Sequence, residues 1–191
     1  MKKRELLGIF VAVLGLLAIP ASVFWYYSDN IVGYYKFKGY CSKEAGLRIS
    51  QAIKPKSGWI ASDASLAKTA AALNGVDFAR YTDEKKNSFD VRYLGGDVQR
   101  DSSFDVSRAN DKDEVTYRIV FVNEELSGEI RMGKSGYEVF DINSGLLVAR
   151  FYNFGYSIFD VNNTLFASPS RVACFSSPAR YVEGIQKAIG I

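Results

Sequence analysis

The sequence predicts an α+β fold: an N-terminal transmembrane helix followed by an antiparallel β-meander domain flanked by short helices. Three observations carry this. Residues 6–27 form an uncharged run of 22, Leu6 to Tyr27. As a helix rising about 1.5 Å per residue, it would cover the roughly 30 Å of a bilayer's hydrocarbon core. From Val76 onward the apolar period changes from helical to two, with turn residues between the runs. After those runs, Ser177-Pro178 can start a helix to Ile189, with Tyr181, Val182, Ile185 and Ile189 on one side.

The first element is read as an uncleaved anchor. Lys2, Lys3 and Arg4 would also suit a signal peptide, but a cleaved apolar core is only about 7–15 residues long, and no A-x-A site comes after this run. The run ends in Phe24, Trp25, Tyr26 and Tyr27, rings that suit the headgroup layer. The basic tip precedes the span, and after it come Asp29 and no base before Lys36. Positive residues stay inside, so residues 1–5 are expected in the cytoplasm and 28–191 outside. In a bacterium that is an inner-membrane protein with a periplasmic domain. Gly8, Ala12, Gly15 and Ser22 put small residues along one seam of the helix, where another membrane helix could pack. Pro20 marks a kink or the start of an exit from the helix.

The outer part, about 164 residues, suits one domain. Asp29–Glu44 reads as a helix stopped by Gly46, with Ile31, Tyr34, Tyr35, Lys38 and Cys41 near one face. Leu47–Ile53 can be extended, and Ser57-Gly58 reads as a turn. Asp63 or Ser65 can cap a short Ala-rich helix ending near Asn74-Gly75. The strand-like runs begin at Phe78, Phe89, Ser103, Glu114, Glu129, Tyr137 and Leu146, and Asn143-Ser144-Gly145 signals a hairpin.

Composition excludes several chemistries. The chain has no His, so neither a Ser-His-Asp nor a Cys-His site can form, nor any metal centre needing imidazole. Two cysteines cannot supply a four-thiolate cluster. Removing residues 1–27 takes three bases and Glu5 from the totals of 24 and 21, leaving 21 bases and 20 acids. A net charge near +1 gives no footprint for nucleic acid. Cys41 and Cys174, both outside the membrane in this topology, are expected to pair, because redox-active pairs prefer C-x-x-C spacing.

Three patterns invite functional readings. Gly128-Glu-Ile-Arg-Met-Gly133-Lys134-Ser135 fits the phosphate-binding loop, but a helix must start at Lys134, and the residues after Ser135 alternate like a strand. Asp105, Asp111, Asp113 and Glu114 offer oxygens for Ca²⁺ without the required register, beside neutralising Arg100, Arg108 and Lys112. Tyr152, Phe154, Tyr156 and Ile158 alternate onto one strand face, as core beneath a helix or as a contact patch for another subunit.

The segment Tyr40-Cys-Ser-Lys-Glu-Ala-Gly-Leu-Arg-Ile, with Gly58 after it, resembles a pattern in uncharacterised membrane-anchored proteobacterial proteins. That resemblance implies a periplasmic domain and carries no chemistry. The basic leader ending in Gly8, the apolar helix, the meander and the late cysteine also look like type IV pilins, although Val13 stands where those carry a Glu. The expectation is a non-enzymatic, membrane-anchored protein-binding domain, an accessory or assembly subunit of an inner-membrane complex. Its partners would be the lipid bilayer, other membrane or periplasmic proteins and a second copy of itself, with no cofactor, no metal and no nucleic acid. The alternatives are a pilin-like or pseudopilin-like filament or secretion subunit and an Asp/Glu-dependent periplasmic hydrolase.

Overall fold

The computed structural model describes residues 3–129, 131–158 and 170–175, without the side chains of 3–14 and of Tyr26. The expected C-terminal helix, Ser177 to Ile189, lies outside the described residues. Within them the chain is α+β, a large sheet with few helices.

A single helix α1 runs from Lys3 to Lys43. The apolar run and the Asp29–Glu44 segment are therefore one rod, and Pro20 lies inside it without ending it. Missing one backbone hydrogen bond does not break a helix whose neighbouring turns hold. Gly46 turns the chain at φ +90°, a conformation that strongly favours glycine. Among the described residues no helix is long and apolar enough to cross a membrane. In the uncharged run, only side chains from Gly15 onward are described. The transmembrane span expected over 6–27 is thus not shown; a long helix carrying that run is.

Next come β1 (Gly46–Ile49), β2 (Ser57–Ile60), α2 (Ala64–Ala71) and β3 (Val76–Thr82). After these come β4 (Ser88–Tyr93), a 3₁₀ turn at Asp101–Ser103, β5 (Phe104–Arg108), β6 (Val115–Glu125), β7 (Met132–Asp141), β8 (Leu147–Ser157) and β9 (Arg171–Ala173). The order across the sheet is β1-β8-β7-β6-β2-β3-β4-β5, with β9 also on β8. The expected antiparallel meander holds only in the two halves, β1-β8-β7-β6 and β3-β4-β5. Between them β2 pairs parallel with both β3 and β6, which makes the sheet mixed.

The Ser57-Gly58 turn is thus corrected to the first half of a central strand. Trp59 is 1% exposed, and its Nε1 donates to Ser57 Oγ at 3.1 Å. Gly58 is needed for close approach, since a Cβ there would overlap the Phe78 ring and stand 2.5 Å from the Glu114 carbonyl oxygen. The run from Glu129 is corrected too. Gly128 and Arg131 adopt positive φ (+81° and +55°), so this stretch turns between β6 and β7 and only Met132 begins a strand. At the predicted hairpin, Ser144 N–H donates to Asp141 Oδ1 at 2.7 Å and Gly145 takes φ +69°.

Asp63 is the cap of α2, accepting from the Leu66 N–H at 2.9 Å. That backbone hydrogen bond, with a second from Ser62, holds its carboxyl below the usual value. Asp63→Ala is expected to cost about 1 kcal/mol. A lowered folded pKa gives stability that is present above the unfolded value, near 3.8, and lost as pH falls through the folded one. An acid titration of the unfolding midpoint should therefore show the wild-type advantage at neutral pH and its disappearance below pH 3.8.

The sheet has two covered faces. On one, α2 packs on Trp59, Ala79, Val91 and Tyr117; on the other, α1 packs on β8. Between β3 and β4, Arg80 clamps buried Asp90 with Nε at 2.7 Å and Nη2 at 3.0 Å, and the Asn110 N–H donates at 3.3 Å. Every oxygen of that carboxylate is met, as a buried charge requires.

Candidate functional site

The docked face of α1 is built from Asn30, Gly33, Phe37 and Tyr40, spaced three or four apart as one side of a helix must be, with Cys41 beside Tyr40 and Glu44 just past the helix end. Tyr156, fully buried, lies beneath Gly33, where a Cβ would stand 2.6 Å from its Oη. Phe37 stacks on Tyr156 at 6.1 Å, and Tyr40 lies 5.1 Å from Phe154, centroid to centroid. The Tyr156 hydroxyl donates to the Asn30 carbonyl at 3.3 Å, and Arg131 Nη2 donates to Asn30 Oδ1 at 3.0 Å. Lys36 meets Glu129 at 2.8 Å, and Arg150 meets Glu44 at 2.9 Å.

Cys41 and Cys174 form a disulfide with Cα atoms 5.3 Å apart and a sequence separation of 133. It ties the end of α1 to the residue after β9. The sequence-predicted pair is shown.

Tyr152, Phe154 and Tyr156 are the stripe read as core beneath a helix or as a contact patch for another subunit. All three are at most 5% exposed and covered by α1 or by ion pairs of the same chain. A partner would have to displace the helix to reach them. The apolar stripe of α1 differs from the expectation as well. Ile31, Tyr34 and Tyr35 point outward, and of the predicted set only Cys41 faces the sheet. Of the seam residues, Gly15 has open space around its Cα and Ser22 is exposed, its hydroxyl donating to the Ala18 carbonyl. Gly8 and Ala12 lie in α1, in the stretch described by its backbone alone.

Beside the docked helix, a polar strip crosses β6, β7 and β8. Lys134 pairs with Glu124 at 2.7 Å and sits 4.4 Å above the Tyr152 ring. Tyr152 donates its hydroxyl to Glu138, and the Arg150 guanidinium lies 5.0 Å from the same ring. Burial and the Glu138 contact push the Tyr152 phenol above its ordinary pKa. Burial works against the Lys134 charge, but the Glu124 hydrogen bond and the neighbouring groups outweigh it and raise its pKa. Both shifts favour the protonated phenol and the charged amine, the less nucleophilic form of each group. Lys134 also lies within β7, not at a helix start, so the phosphate-loop pattern has no loop.

The acidic stretch makes no metal cluster among the described residues. Asp113 is bonded to Arg92 at 3.2 Å and to Asn110 Nδ2 at 3.3 Å. The displaced carboxylates Asp63, Asp83, Asp101 and Asp141 are all held low, by Leu66 N–H, the Asn87 side chain, Lys68 and Ser144 N–H respectively. A carboxyl acting as general acid in hydrolysis needs the opposite displacement.

An apolar groove lies on the α2 face, between α2 and the far strands. Leu47, Ile49, Ile53, Leu73, Tyr137, Val139 and Phe151 line it, with Trp59 and Ile119 at its floor. Ile49 keeps 41% of its surface exposed. No residue of this groove stands out as a site in the sequence. The signal is there in the alternation of Leu47 and Ile49, and of Tyr137 and Val139.

No protein-family model matches the chain, and no curated protein or solved structure matches it. The resemblances carried by Tyr40–Ile49 and by the Gly8 leader therefore rest on those residues alone.

Proposed function

We propose that this protein is a membrane-anchored, non-enzymatic binding module, an accessory or assembly subunit of a bacterial inner-membrane complex whose sheet domain lies in the periplasm. One observation carries the reading. From Leu16 to Trp25, α1 exposes large apolar side chains on every side, including Phe24 and Trp25 (83% exposed), and further along Ile31, Val32 and Tyr35 (70%) stay exposed away from the docked side. A helix that is apolar all round is covered by lipid or by protein. With residues 6–27 in the bilayer, sheet contact resumes at Asn30, about 5 Å further along the rod. The domain would sit on the membrane surface, held in one orientation by the continuous helix and the disulfide. Ile31, Val32 and Tyr35 would then face whatever stands beside it, and the seam at Gly8, Ala12, Gly15 and Ser22 would pack on a neighbouring helix.

Isolation from native membranes in mild detergent, with mass spectrometry of the eluate, tests this. Expected is a stoichiometric set of membrane partners that is retained by wild type and lost from Gly15→Leu. A protein that elutes as a clean monomer from membranes, or one that is not in the membrane fraction, overturns the reading.

One observation favours a second reading, the pilin-like subunit. One long helix carries the apolar run, and Phe37, Tyr40 and Cys41 near its C-terminal end pack on the sheet, in keeping with the apolar helix and strands of that resemblance. A mature N-terminus at Ile9 in the same preparation would favour that reading; an intact leader would remove it.

A further inference from the structure

We infer that the sheet edge at β5 is an interface between two copies of this chain, which pair β5 against β5, antiparallel, in register about Val106. This goes beyond the binding role proposed above and does not depend on it. β5 is the terminal strand of the sheet and pairs only with β4 among the described residues. The two ends of that ladder set its hydrogen-bonding phase. Leu94 N–H donates to the Ser103 carbonyl, and Ala109 N–H donates to the Ser88 carbonyl, both at 2.9 Å. Bonded and non-bonded pairs alternate along an antiparallel ladder, so Asp105 and Ser107 turn their backbone groups to β4. Phe104, Val106 and Arg108 turn theirs outward. The Phe104 N–H is taken by the Asp101 carbonyl. The Phe104 carbonyl and both backbone groups of Val106 and Arg108 meet no protein partner among the described residues.

Exposed edges are ordinarily blunted by proline, lysine, a bulge or charges that repel a second strand. β5 reads Phe-Asp-Val-Ser-Arg, without proline or lysine, and pairs with β4 in unbroken register over all five residues. Val106, at its centre, keeps 46% of its surface exposed. Its two charges suit a second copy. A two-fold axis at Val106 sets Phe104 opposite the partner's Arg108 and Asp105 opposite the partner's Ser107. Each guanidinium then meets an aromatic residue and each carboxylate a hydroxyl, and no like charges stand face to face. The same register joins the open backbone groups. The two Val106 residues exchange both N–H···O bonds, and each Phe104 carbonyl accepts from the partner's Arg108 N–H. Slipping the partner so that Phe104 meets Val106 would put Asp105 opposite its own copy, a repulsive pair that fixes the register.

The test compares the protein mass of full-length wild type and Val106→Pro in mild detergent, by sedimentation equilibrium. Proline is tolerated on an edge strand where its missing N–H faces outward, so the β4 ladder survives while the bond between copies is lost. Expected is wild type at twice the monomer mass and Val106→Pro at monomer mass, its association at least tenfold weaker. A closed Cys41–Cys174 bridge, scored by alkylation, and an unchanged urea midpoint report that the variant is folded. A second measurement holds even if the variant does not fold. Benzoylphenylalanine at Val106 in native membranes should give a dimer on a reducing gel, with the residue-106 peptide joined to residues 104–108 of the second copy. A monomeric wild type, a dimer unchanged by Val106→Pro, no crosslinked dimer, or a crosslink to another segment or a different protein each overturns the inference.

Discussion

Cys174→Ser should lower the unfolding free energy of the outer domain by about 4–5 kcal/mol, the loop-closure entropy of a bridge spanning 133 residues. Domains of this size hold only about 5–15 kcal/mol in all, so the effect decides whether the domain stays folded. The bridge acts at one end of a weld whose other contacts are local. Phe37 on Tyr156, Tyr40 on Phe154 and the Lys36–Glu129 and Glu44–Arg150 pairs all lie within the α1–sheet contact. The two salt bridges are partly exposed and contribute little each. Without the covalent tie, opening the aromatic contact frees the helix from the sheet and β9 from its neighbour. Urea unfolding of the purified protein, with and without reductant, measures this. Wild type should lose the stated amount on reduction, the variant should be insensitive, and Cys41→Ser combined with Cys174→Ser should match either single change, because all three remove one bond. A loss below about 1 kcal/mol would mean that the unfolded chain is already confined by other means.

Elements with a local chemical cause could be read from the chain. Asp63 caps α2 because a carboxylate three residues before an N–H can accept from it, and no distant residue needs to agree. Asn143-Ser144-Gly145 makes its hairpin because the turn needs a positive φ, which Gly145 takes at +69° without steric cost. The cysteines pair because there are only two. Where the cause is tertiary, the pattern misleads. β2 is four residues buried on both faces, so it shows no alternation, and its Ser-Gly start is also a turn signal. Only its place between β3 and β6 makes it a strand.

The docked side of α1 was illegible for a related reason. In the docked stretch large apolar and aromatic residues stand on more than one side, Ile31, Val32 and Tyr35 outward and Phe37 inward, so periodicity points to the wrong face, and the side that packs is fixed by where the backbone approaches closely. Gly33 marks it, since any larger residue would collide with Tyr156. The stripe Tyr152-Phe154-Tyr156 had two readings, core or contact, because alternation cannot say what lies above a strand; α1 answers that in three dimensions. The apolar groove went unread because part of its lining comes from β1 and β7, brought together only by their common neighbour β8.

Trp59→Ala separates these two views of β2 most sharply. As part of a turn, Trp59 would be a surface residue, and its loss would move stability by about 0.5 kcal/mol or less. In the mixed sheet it is 1% exposed, packs 5.7 Å from the Tyr117 ring and stands at the centre of the α2-face core. Truncating a buried aromatic to alanine costs about 3–5 kcal/mol, through lost transfer energy and the cavity left behind. The deletion also leaves Ser57 Oγ, in a residue 3% exposed, without the indole donor. Tyr35→Ala, at an exposed position on α1, is the matched control and should shift the midpoint little in detergent solution. Equilibrium urea unfolding of the three proteins under identical conditions gives the comparison. If Trp59→Ala costs no more than Tyr35→Ala, β2 does not hold the two antiparallel halves together, and the parallel pairings with β3 and β6 are wrong. If it costs several-fold more, both halves depend on a strand of four residues. The sheet then unfolds as one cooperative body, since neither half keeps its central neighbour without the other.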